Sequence, residues 1–307
     1  MSLDIVAIGH VINETIIYPQ QKTRQVLGSP PAYSMAVAAG VGAQVGILTR
    51  IGTDYPRELL EPLQTLGVDL QGIVCRGEVS TNNQLIYSDN GTKEIQYLTK
   101  APLIDIADAP ASYREAKLFY VCPMDFDVTT NTVKEFSELG GMMATDLGGF
   151  GGAHSPPGQS PQMQRDPETV RALIASMDIV KASDEDCQRL TGDATVDLAG
   201  FAEQWLDWGA KISVVTLGGA GALVITRKQT HHIPPLPGNP IDPTGGGDSF
   251  MGGFLVRYLQ TEDAWQAGIY GAATALLVIE GSGGVSVDRM PSAPLVEQRL
   301  QQAGLSG

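Results

Sequence analysis

The chain has 307 residues, 43% of them hydrophobic and 18% charged, which is ordinary for a globular enzyme and enough to bury a large core. Its net charge of −14 argues against a general nucleic-acid or anionic-membrane surface, because both need a basic footprint. We therefore expect no nucleic-acid and no membrane partner. The charge does not exclude a small anionic ligand, which local backbone amides can bind.

Cysteine content and the start of the chain indicate a reducing compartment. Three widely spaced cysteines, Cys75, Cys122 and Cys187, form neither a disulfide framework nor a zinc pattern. The first ten residues lack the basic stretch of a signal peptide, and no segment reaches the roughly 18 apolar residues of a membrane span. A cytoplasmic location is expected.

The N-terminal part alternates short apolar runs with helical patterns. Residues 3–9, LDIVAIG, form a continuous apolar run that ends in glycine, which predicts a strand buried on both faces. The small apolar residues after Gly28 predict a closely packed helix, and QVGILTRIG predicts a second buried strand.

The pattern of polar and apolar residues changes between residues 72 and 100. This stretch alternates polar and apolar residues, is rich in Thr, Asn and Tyr, and carries DNG at 89–91, a strong hairpin signal. Together with residues 11–27 it predicts a small, separate, antiparallel sheet.

The rest of the chain alternates strand and helix patterns. Strands are predicted in AKLFYVCP, GGMMATDLGG, MDIVKAS, AKISVVTLGG and GALVITR, with helical stretches between most of them. Alternation at this spacing implies βαβ units and a mostly parallel sheet covered by helices, that is, an α/β fold.

Three consecutive glycines, Gly245, Gly246 and Gly247, come just before a predicted helix, and Asp248 follows them. Glycines at a helix N-terminus let several amide groups converge on one anion. An aspartate beside such a nest would repel the bound charge, unless it acts on a substrate hydroxyl next to a phosphate. The alternative is a flexible turn with Asp248 as a favourable first-turn charge.

This segment, IDPTGGGDSFMGGF, resembles the C-terminal signature of the ribokinase-like (PfkB) carbohydrate kinases, D-T-x-G-A-G-D. Asp242, Thr244, Gly245, Gly247 and Asp248 match the signature, and Gly246 replaces its usual alanine. The resemblance implies that Asp248 is the catalytic base and that the amides of residues 245–248 hold the transferring phosphoryl group. The chain has no P-loop motif that would offer another phosphate site.

The resemblance spans nearly the whole chain and implies a fold and an activity. It implies a three-layer α/β/α nucleotide-binding core, residues 1–10, 28–71 and 101–307, with a β lid of residues 11–27 and 72–100 over the substrate. It implies ATP and Mg²⁺ as cofactors, a small sugar or polyol as substrate, and a monomer or a homodimer formed through the lid. A nucleoside kinase of the same fold and a non-catalytic sugar- or nucleotide-binding relative are the alternatives.

A second segment, TLGGAGALV at 216–224, resembles the family's stretch along the nucleotide phosphates. A strand–glycine–strand pattern is also typical of a plain hairpin. The resemblance implies cofactor contacts from these glycine-rich positions and from the C-terminal signature: Thr216, Gly218, Gly219, Gly221, Asp242 and Thr244.

The predicted substrate end departs from the family pattern. Glu14 stands where the family has a substrate-binding aspartate, Ser29 follows Gly28 where the family has paired glycines, and Tyr33 replaces a frequent sugar-binding asparagine. We assign these four residues and Asp248 to substrate binding. The GHV opening and the PPAYS pattern resemble the inositol-kinase-like branch.

The segment KASDEDCQRLTG replaces the family's N-x-x-E, which helps organise Mg²⁺. Ser183 and Asp186 fall at its two named positions. Asp186 keeps a hard oxygen ligand and would contact the ion through water. The alternative is an acidic helix start with Ser183 as N-cap and Asp186 at N3. Asp146, at a predicted strand end, would face the site or cap its loop.

Overall fold

The structure is a computed structural model that describes residues 2–18, 24–87, 93–155 and 167–305. In chain order its strands are β1 (Ile5–Ile8), β2 (Ile12–Ile17), β3 (Arg24–Gly28), β4 (Val45–Ile51), β5 (Ile73–Cys75), β6 (Asn82–Tyr87), β7 (Lys93–Thr99), β8 (Leu118–Val121), β9 (Met142–Asp146), β10 (Ile179–Ser183), β11 (Ile212–Thr216), β12 (Ala222–Thr226) and β13 (Thr230–Ile233). Its α-helices are α1 (Pro30–Gly40), α2 (Glu61–Thr65), α3 (Thr130–Ser137), α4 (Pro167–Ile174), α5 (Asp184–Thr191), α6 (Leu198–Trp208), α7 (Gly246–Thr261), α8 (Ala264–Ile279) and α9 (Ala293–Gln302).

Nine strands form one large sheet in the order β13-β12-β11-β10-β9-β8-β1-β4-β5. The strands from β11 to β5 run parallel, and β12 and β13 add an antiparallel edge. Every residue of β1 is buried, as expected for a continuous apolar run between two layers of helices.

Alternate residues of the large sheet enter two hydrophobic cores. Ile5 and Ala7 pack into the core that contains α1, α2, α7, α8 and α9. Val6 and Ile8 point to the opposite core, which contains α3, α4 and α6. These layers confirm the predicted three-layer α/β/α fold with a mostly parallel sheet.

Four strands form a small sheet in the order β3-β2-β6-β7. Its central strands β2 and β6 are parallel, whereas the sequence predicts an antiparallel sheet. The reason is that β2 follows β1 and β6 follows β5, two parallel strands that deliver the chain to the same edge of the large sheet. The outer strands β3 and β7 are antiparallel to their neighbours.

Two details concern the predicted boundaries of this sheet. The DNG turn at 89–91 lies outside the described residues. Ile73–Cys75 falls within the range that the sequence assigns to the lid, but it pairs with β4 as the edge of the large sheet. The small sheet therefore takes its second pair of strands from residue 82 onward.

The cysteines differ in exposure: Cys75 is exposed on β5, whereas Cys122 after β8 and Cys187 on α5 are fully buried, and all three are free thiols. In the part of the chain that the structure describes, no helix is long and apolar enough to cross a membrane.

Candidate active site

A cleft of about 1000 Å³ lies at the carboxyl ends of the parallel strands, where the small sheet meets the large one. Open parallel sheets bind their ligands at this edge. One end of the cleft is lined from the small sheet, by Glu14, Leu85, Tyr87 and Ile95. The other end is mostly apolar and is lined by Leu236, Pro240, Ala272, Ala275, Leu276 and Ile279.

The cleft gathers most of the residues predicted to form the site. Those that line it are Glu14, Ser29, Tyr33, Asp186, Thr216, Gly218, Gly219, Gly221, Thr244, Gly245, Gly246, Gly247 and Asp248. Gly28 and Asp242 are not part of the lining. They lie behind it and support residues that are.

The three glycines form the turn that starts α7. Gly245 has φ 78°, in the left-handed region that favours glycine, and a Cβ there would lie 2.5 Å from the Tyr33 ring. The Gly246 amide donates to the Pro243 carbonyl at 3.0 Å and closes the turn, so it is committed within the loop. Gly247 and Asp248 follow in the first turn of α7, where amide groups have no helical carbonyl to bind.

Gly246 replaces the usual alanine at a crowded position. A Cβ there would lie 3.1 Å from the Ile279 side chain, which lines the apolar end of the cleft. Gly246, the middle glycine, therefore leaves room for the branched side chain of Ile279 on α8.

Lys181 brings a buried positive charge to the glycine loop. A Cβ on Gly247 would lie 3.3 Å from Lys181 Nζ, and this Nζ donates to Asp146 Oδ2 at 2.8 Å. Burial alone would lower the pKa of Lys181, but Asp146 and the other nearby carboxylates raise it above its usual value. The ammonium group therefore stays charged at neutral pH.

Asp186 forms the capping box that one of the two interpretations predicts. Its Oδ2 accepts from the Ser183 amide at 2.6 Å, and Ser183 Oγ accepts from the Asp186 amide at 3.0 Å. Its Oδ1 accepts from the Ala153 amide at 2.7 Å. Burial alone would raise the pKa of Asp186, but Lys181 and these hydrogen bonds lower it below its usual value, so it stays ionised.

Asp146 caps the loop, as one of its two interpretations predicts, but it does not line the cleft and reaches it only through Lys181. One oxygen binds Lys181, and the other accepts from the Gly148 amide at 2.9 Å, which caps the turn after β9. Within the described residues, no group of three or more His, Cys, Asp or Glu side chains is placed to hold a metal ion.

Asp242 organises the loop that leads into the glycines. Its carboxylate accepts from the Thr244 amide at 2.9 Å, from the Gly283 amide at 3.1 Å and from the Tyr18 hydroxyl at 3.2 Å. Burial alone would raise its pKa, but the hydrogen bonds from Thr244 and Gly283 lower it below its usual value. Asp242 therefore supports the loop from behind.

Two tyrosines connect the small sheet to this loop. Tyr18, after β2, and Tyr87, at the end of β6, stack with ring centroids 5.3 Å apart and planes 4° apart. The Tyr87 hydroxyl lies 2.7 Å from Thr244 Oγ1, while Tyr18 binds Asp242. The small sheet is thus fastened directly to the segment before the glycines.

The end of the cleft that is lined from the small sheet carries a cluster of hydrogen-bond acceptors. Glu14 is 6% exposed and accepts from Asn83 Nδ2 at 3.2 Å. A Cβ on Gly28 would lie 2.8 Å from the Glu14 carboxylate, so the glycine makes room for it. Ser29 has φ 102°, a strained value for a residue with a side chain, and its buried Oγ has no partner among the described residues, nor has Asn83 Oδ1. Glu14 and Ser29 line the cleft, and their oxygen atoms suit a ligand with several hydroxyl groups, whereas Asn83 lies behind them.

Tyr33 is 1% exposed, and its hydroxyl is committed inside the protein. The hydroxyl donates to the Gly283 carbonyl at 2.9 Å and accepts from Arg289 at 3.0 Å. Because its hydroxyl is committed inside the protein, Tyr33 can contact a substrate in the cleft only through its ring, and its assignment to substrate binding stays a prediction.

The 216–221 segment is the hairpin that one of its interpretations predicts, and its contacts with nucleotide phosphates stay a prediction. It is the turn of an antiparallel hairpin between β11 and β12, with Gly218 at φ 53° and Gly221 at φ 92°. It also lines the cleft beside the apolar end.

The sequence interpretation missed Lys181, Asn83, Tyr87 and Arg289. Lys181 had a usable signal, because it is the one charged residue in the apolar run IVKAS of β10. The other three lie far along the chain from the motifs that they support, and nothing in their local sequence marks them.

Comparison with known proteins gives a consistent result. A sequence model of the pfkB family carbohydrate kinases matches residues 2–290. The cytidine kinase of Thermococcus kodakarensis is 30% identical over 260 residues, covering 83% of this chain and 88% of the relative. A nucleoside kinase of Methanothermobacter thermautotrophicus is 24% identical over 295 residues, covering 91% and 90%. The ribokinase of Arabidopsis thaliana, complexed with ribose and ATP, superimposes with a TM-score of 0.80 at 18% identity, covering 98% and 99% of the two chains.

Proposed function

Because the chain belongs to the pfkB family of carbohydrate kinases, and is thus a phosphotransferase that acts on a hydroxyl group of a sugar or nucleoside, we propose that it transfers the γ-phosphate of ATP to a ribose hydroxyl of a nucleoside. One observation carries the proposal. A single cleft joins a helix N-terminus with an acid in its first turn to a buried acceptor cluster that has an apolar wall.

The reaction centre in this proposal is the start of α7. The acceptor hydroxyl lies in line with the γ-phosphate and beside Asp248, which accepts its proton. The amides of Gly247 and Asp248, together with Lys181 Nζ, stabilise charge on the phosphoryl oxygens. Because such transition states are loose, Asp248 needs correct placement more than high basicity.

The donor nucleotide is assigned to the apolar end of the cleft. The nucleobase is proposed to pack against an apolar surface on α8, and the 216–221 turn lines the same cleft. This surface comprises Ala272, Ala275, Leu276 and Ile279. The phosphates then extend toward Gly247 and Lys181. ATP use is supported by the relatives, among them the ATP-bound ribokinase.

Mg²⁺ is expected to arrive with the nucleotide. Each Asp186 oxygen already accepts a backbone hydrogen bond, which favours contact with the ion through water over direct ligation. Asp184, Glu185 and Asp186 nonetheless line the cleft at the first turn of α5, and they would hold water ligands of a phosphate-bound ion. The ion would neutralise phosphate charge.

The acceptor end favours a nucleoside over a free sugar. Glu14 and Ser29 offer oxygen acceptors for vicinal ribose hydroxyls, and Asn83 supports the Glu14 carboxylate from behind. Leu85 and Ile95 line the same end, and a small sugar would leave these apolar side chains without a partner. A free sugar or polyol, including an inositol-like one, is the second candidate, favoured by the hydroxyl-binding oxygens alone.

An acceptor panel tests the assignment. The purified protein is incubated with Mg-ATP and with cytidine, uridine, adenosine, ribose, fructose or myo-inositol, and ADP release is measured. We expect nucleosides to give at least tenfold higher kcat/KM than ribose, since burying a nucleobase contributes about 1–3 kcal/mol. A higher kcat/KM for free sugars would make a sugar or polyol the preferred acceptor. If no acceptor stimulates ADP release, the kinase proposal is refuted.

The Glu14→Gln variant tests which acceptor group Glu14 binds. Removing the carboxylate charge is expected to raise KM for a ribonucleoside about tenfold, because a hydrogen bond to a charged group contributes about 1.5–3 kcal/mol. The matched control is the 2′-deoxynucleoside, whose KM should change much less. Equal effects on the two acceptors would show that Glu14 does not bind the vicinal hydroxyls.

The small sheet is proposed to act as the lid that excludes water from the phosphoryl group. Its contacts with Asp242 and Thr244 support this role. The oligomeric state, the cytoplasmic location and the inositol-kinase-like resemblance stay predictions.

A further inference from the structure

Arg289 is a buried cation behind the glycine loop. It is 7% exposed, and among the described residues it forms no ion pair with a carboxylate. A buried charge normally needs close compensation, because taking it out of water costs several kcal/mol. The groups that compensate it here therefore indicate its role.

Five backbone carbonyl oxygens and the Tyr33 hydroxyl, 3.0 Å from Nη1, surround the guanidinium group. Nη2 donates to Thr244 at 2.9 Å and lies 3.5 Å from the Asp242 carbonyl. Nη1 donates to Gly283 and lies 3.3 Å from the Gly284 carbonyl. Nε donates to Val278 at 2.9 Å.

These carbonyl groups come from two separate loops, residues 242–244 and 283–284, and from the end of α8. Neutral carbonyl oxygens that converge on one point form the ligand shell of a cation, as in calcium loops and potassium-selective pores. Here the positive charge within the shell is a side chain of the protein itself.

The shell adjoins the reaction centre. Thr244, whose carbonyl accepts from Arg289, directly precedes Gly245. The guanidinium lies 5.5 Å from the centre of the Tyr33 ring, and a Cβ on Gly245 would lie 2.5 Å from the same ring. Arg289, Tyr33 and Gly245 therefore form one packed unit that sets where α7 begins.

We propose that Arg289 is a built-in monovalent cation, a positioning residue that occupies a carbonyl site behind the glycine loop and makes the protein independent of added alkali-metal ions. Its positioning role in catalysis rests on the function proposed above, whereas occupancy of the carbonyl site does not. Removing the side chain leaves a buried shell of carbonyl oxygens that a free guanidinium or potassium ion fits.

The test compares the parent protein with Arg289→Ala in tetramethylammonium, sodium and potassium chloride of equal ionic strength, with and without low-millimolar guanidinium. The parent kcat is expected to stay within about twofold in all of them. Arg289→Ala is expected to lose about 100-fold in kcat in tetramethylammonium chloride, as loss of loop placement by about 1 Å does, with little change in acceptor KM. Guanidinium or potassium should restore at least tenfold.

Arg257→Ala is the matched control. Arg257 is a half-buried arginine on α7, and it pairs with Glu297 and covers the Tyr270 ring instead of binding carbonyl oxygens. Its removal should leave kcat unchanged and should create no dependence on guanidinium or potassium.

Thermal unfolding without nucleotide or acceptor separates the two parts of the inference. The unfolding midpoint of Arg289→Ala should rise with potassium or guanidinium relative to tetramethylammonium, whereas that of the parent should not. If the midpoint of Arg289→Ala rises in this way but the parent protein phosphorylates no acceptor, the kinase proposal is refuted and the cation site is still supported. If Arg289→Ala does not fold, Arg289→Lys, which keeps the charge, is measured in the same way and should need less added cation.

Three results would overturn the proposal. One is full activity of Arg289→Ala in tetramethylammonium chloride. Another is a parent protein that requires potassium. The third is a folded Arg289→Ala whose activity and unfolding midpoint respond to no added cation.

Discussion

Asp248 is the third residue of α7, half-buried in the cleft and one position after the glycines. We expect Asp248→Asn to reduce kcat by about 10²–10⁴-fold, because the amide keeps the shape but cannot accept the hydroxyl proton. ATP affinity should change little. Single-turnover kinetics and nucleotide titration measure the two quantities, and Asp207→Asn, exposed on α6, is the control.

Unchanged turnover in Asp248→Asn would remove this residue from the base role. A large loss of ATP affinity would instead indicate that the carboxylate shapes the nucleotide site.

Lys181 is expected to contribute to both stability and catalysis. Lys181→Met leaves Asp146 buried without its cation, which should lower the free energy of unfolding by about 3–5 kcal/mol in urea titrations. Adding Asp146→Asn should recover part of that stability but not kcat, because the charge beside Gly247 is still absent. Recovery of kcat in the double variant would show that Lys181 has a structural role only.

At the level of single residues, sequence motifs can predict site residues that lie together in one continuous segment of the chain. Asp248 and the glycines before it can be predicted because one short segment both shapes the loop and carries the acid. Arg289 cannot be predicted in this way, since its role depends on carbonyl groups from two loops that meet only in the folded chain.

At the level of elements, the stacked pair of Tyr18 and Tyr87 joins the small sheet to the glycine loop. Each hydroxyl bond is expected to contribute about 0.5–1.5 kcal/mol, so Tyr18→Phe/Tyr87→Phe should lower kcat/KM by roughly tenfold. If the small sheet excludes water, ATP hydrolysis without acceptor should rise relative to phosphoryl transfer. Coupled assays of ADP and phosphorylated product measure this ratio.

Tyr258→Phe, on α7 away from the cleft, should leave the ratio unchanged. A double variant with parental kcat/KM and no added hydrolysis would contradict the proposed role of the tyrosine pair.

The same elements show how far periodicity alone predicts structure. Alternation of apolar runs and helical patterns predicts the strands of the large sheet, because each run is buried between two layers. It does not predict strand partners: Ile73–Cys75 resembles the small sheet in texture but pairs with β4, and β2 pairs parallel to β6. Such pairings depend on where the preceding strand delivers the chain.

For the whole molecule, His10 connects the large sheet, the small sheet and the 125–127 loop. Its ring nitrogens lie 2.7 Å from Thr81 Oγ1 and 3.1 Å from the Pro102 carbonyl, and Asp127 lies beside it. Burial lowers the pKa of His10 below its usual value, and Asp127 offsets only part of this effect.

His10 binds a proton more readily in the unfolded state than in the folded state. The free energy of unfolding is therefore expected to fall as the pH drops below about 6.5, by up to about 1.4 kcal/mol per pH unit. The fall ends where the pH reaches the pKa of His10 in the folded protein. Asp186 and Asp242 have lowered pKa values, so their contributions are lost only at more acidic pH. Urea unfolding between pH 7.5 and 5 should show this slope in the parent and a flatter one in His10→Gln. Equal slopes would exclude His10 as the cause.

The contrast in thiol exposure has a practical consequence. A thiol reagent should modify Cys75 at once in the native protein, whereas Cys122 and Cys187 react only after local opening. Burial also raises the pKa of Cys187 to about 12, which suppresses its reactive thiolate. Cys187 directly follows Asp186, and Cys122 lies at the end of β8. With Cys75 replaced by serine, the slow modification rates of the two remaining thiols report local opening of the protein around α5 and the end of β8. A bound ligand that slows modification stabilises the closed state, and the ratio of the two rates gives that stabilisation as a free energy.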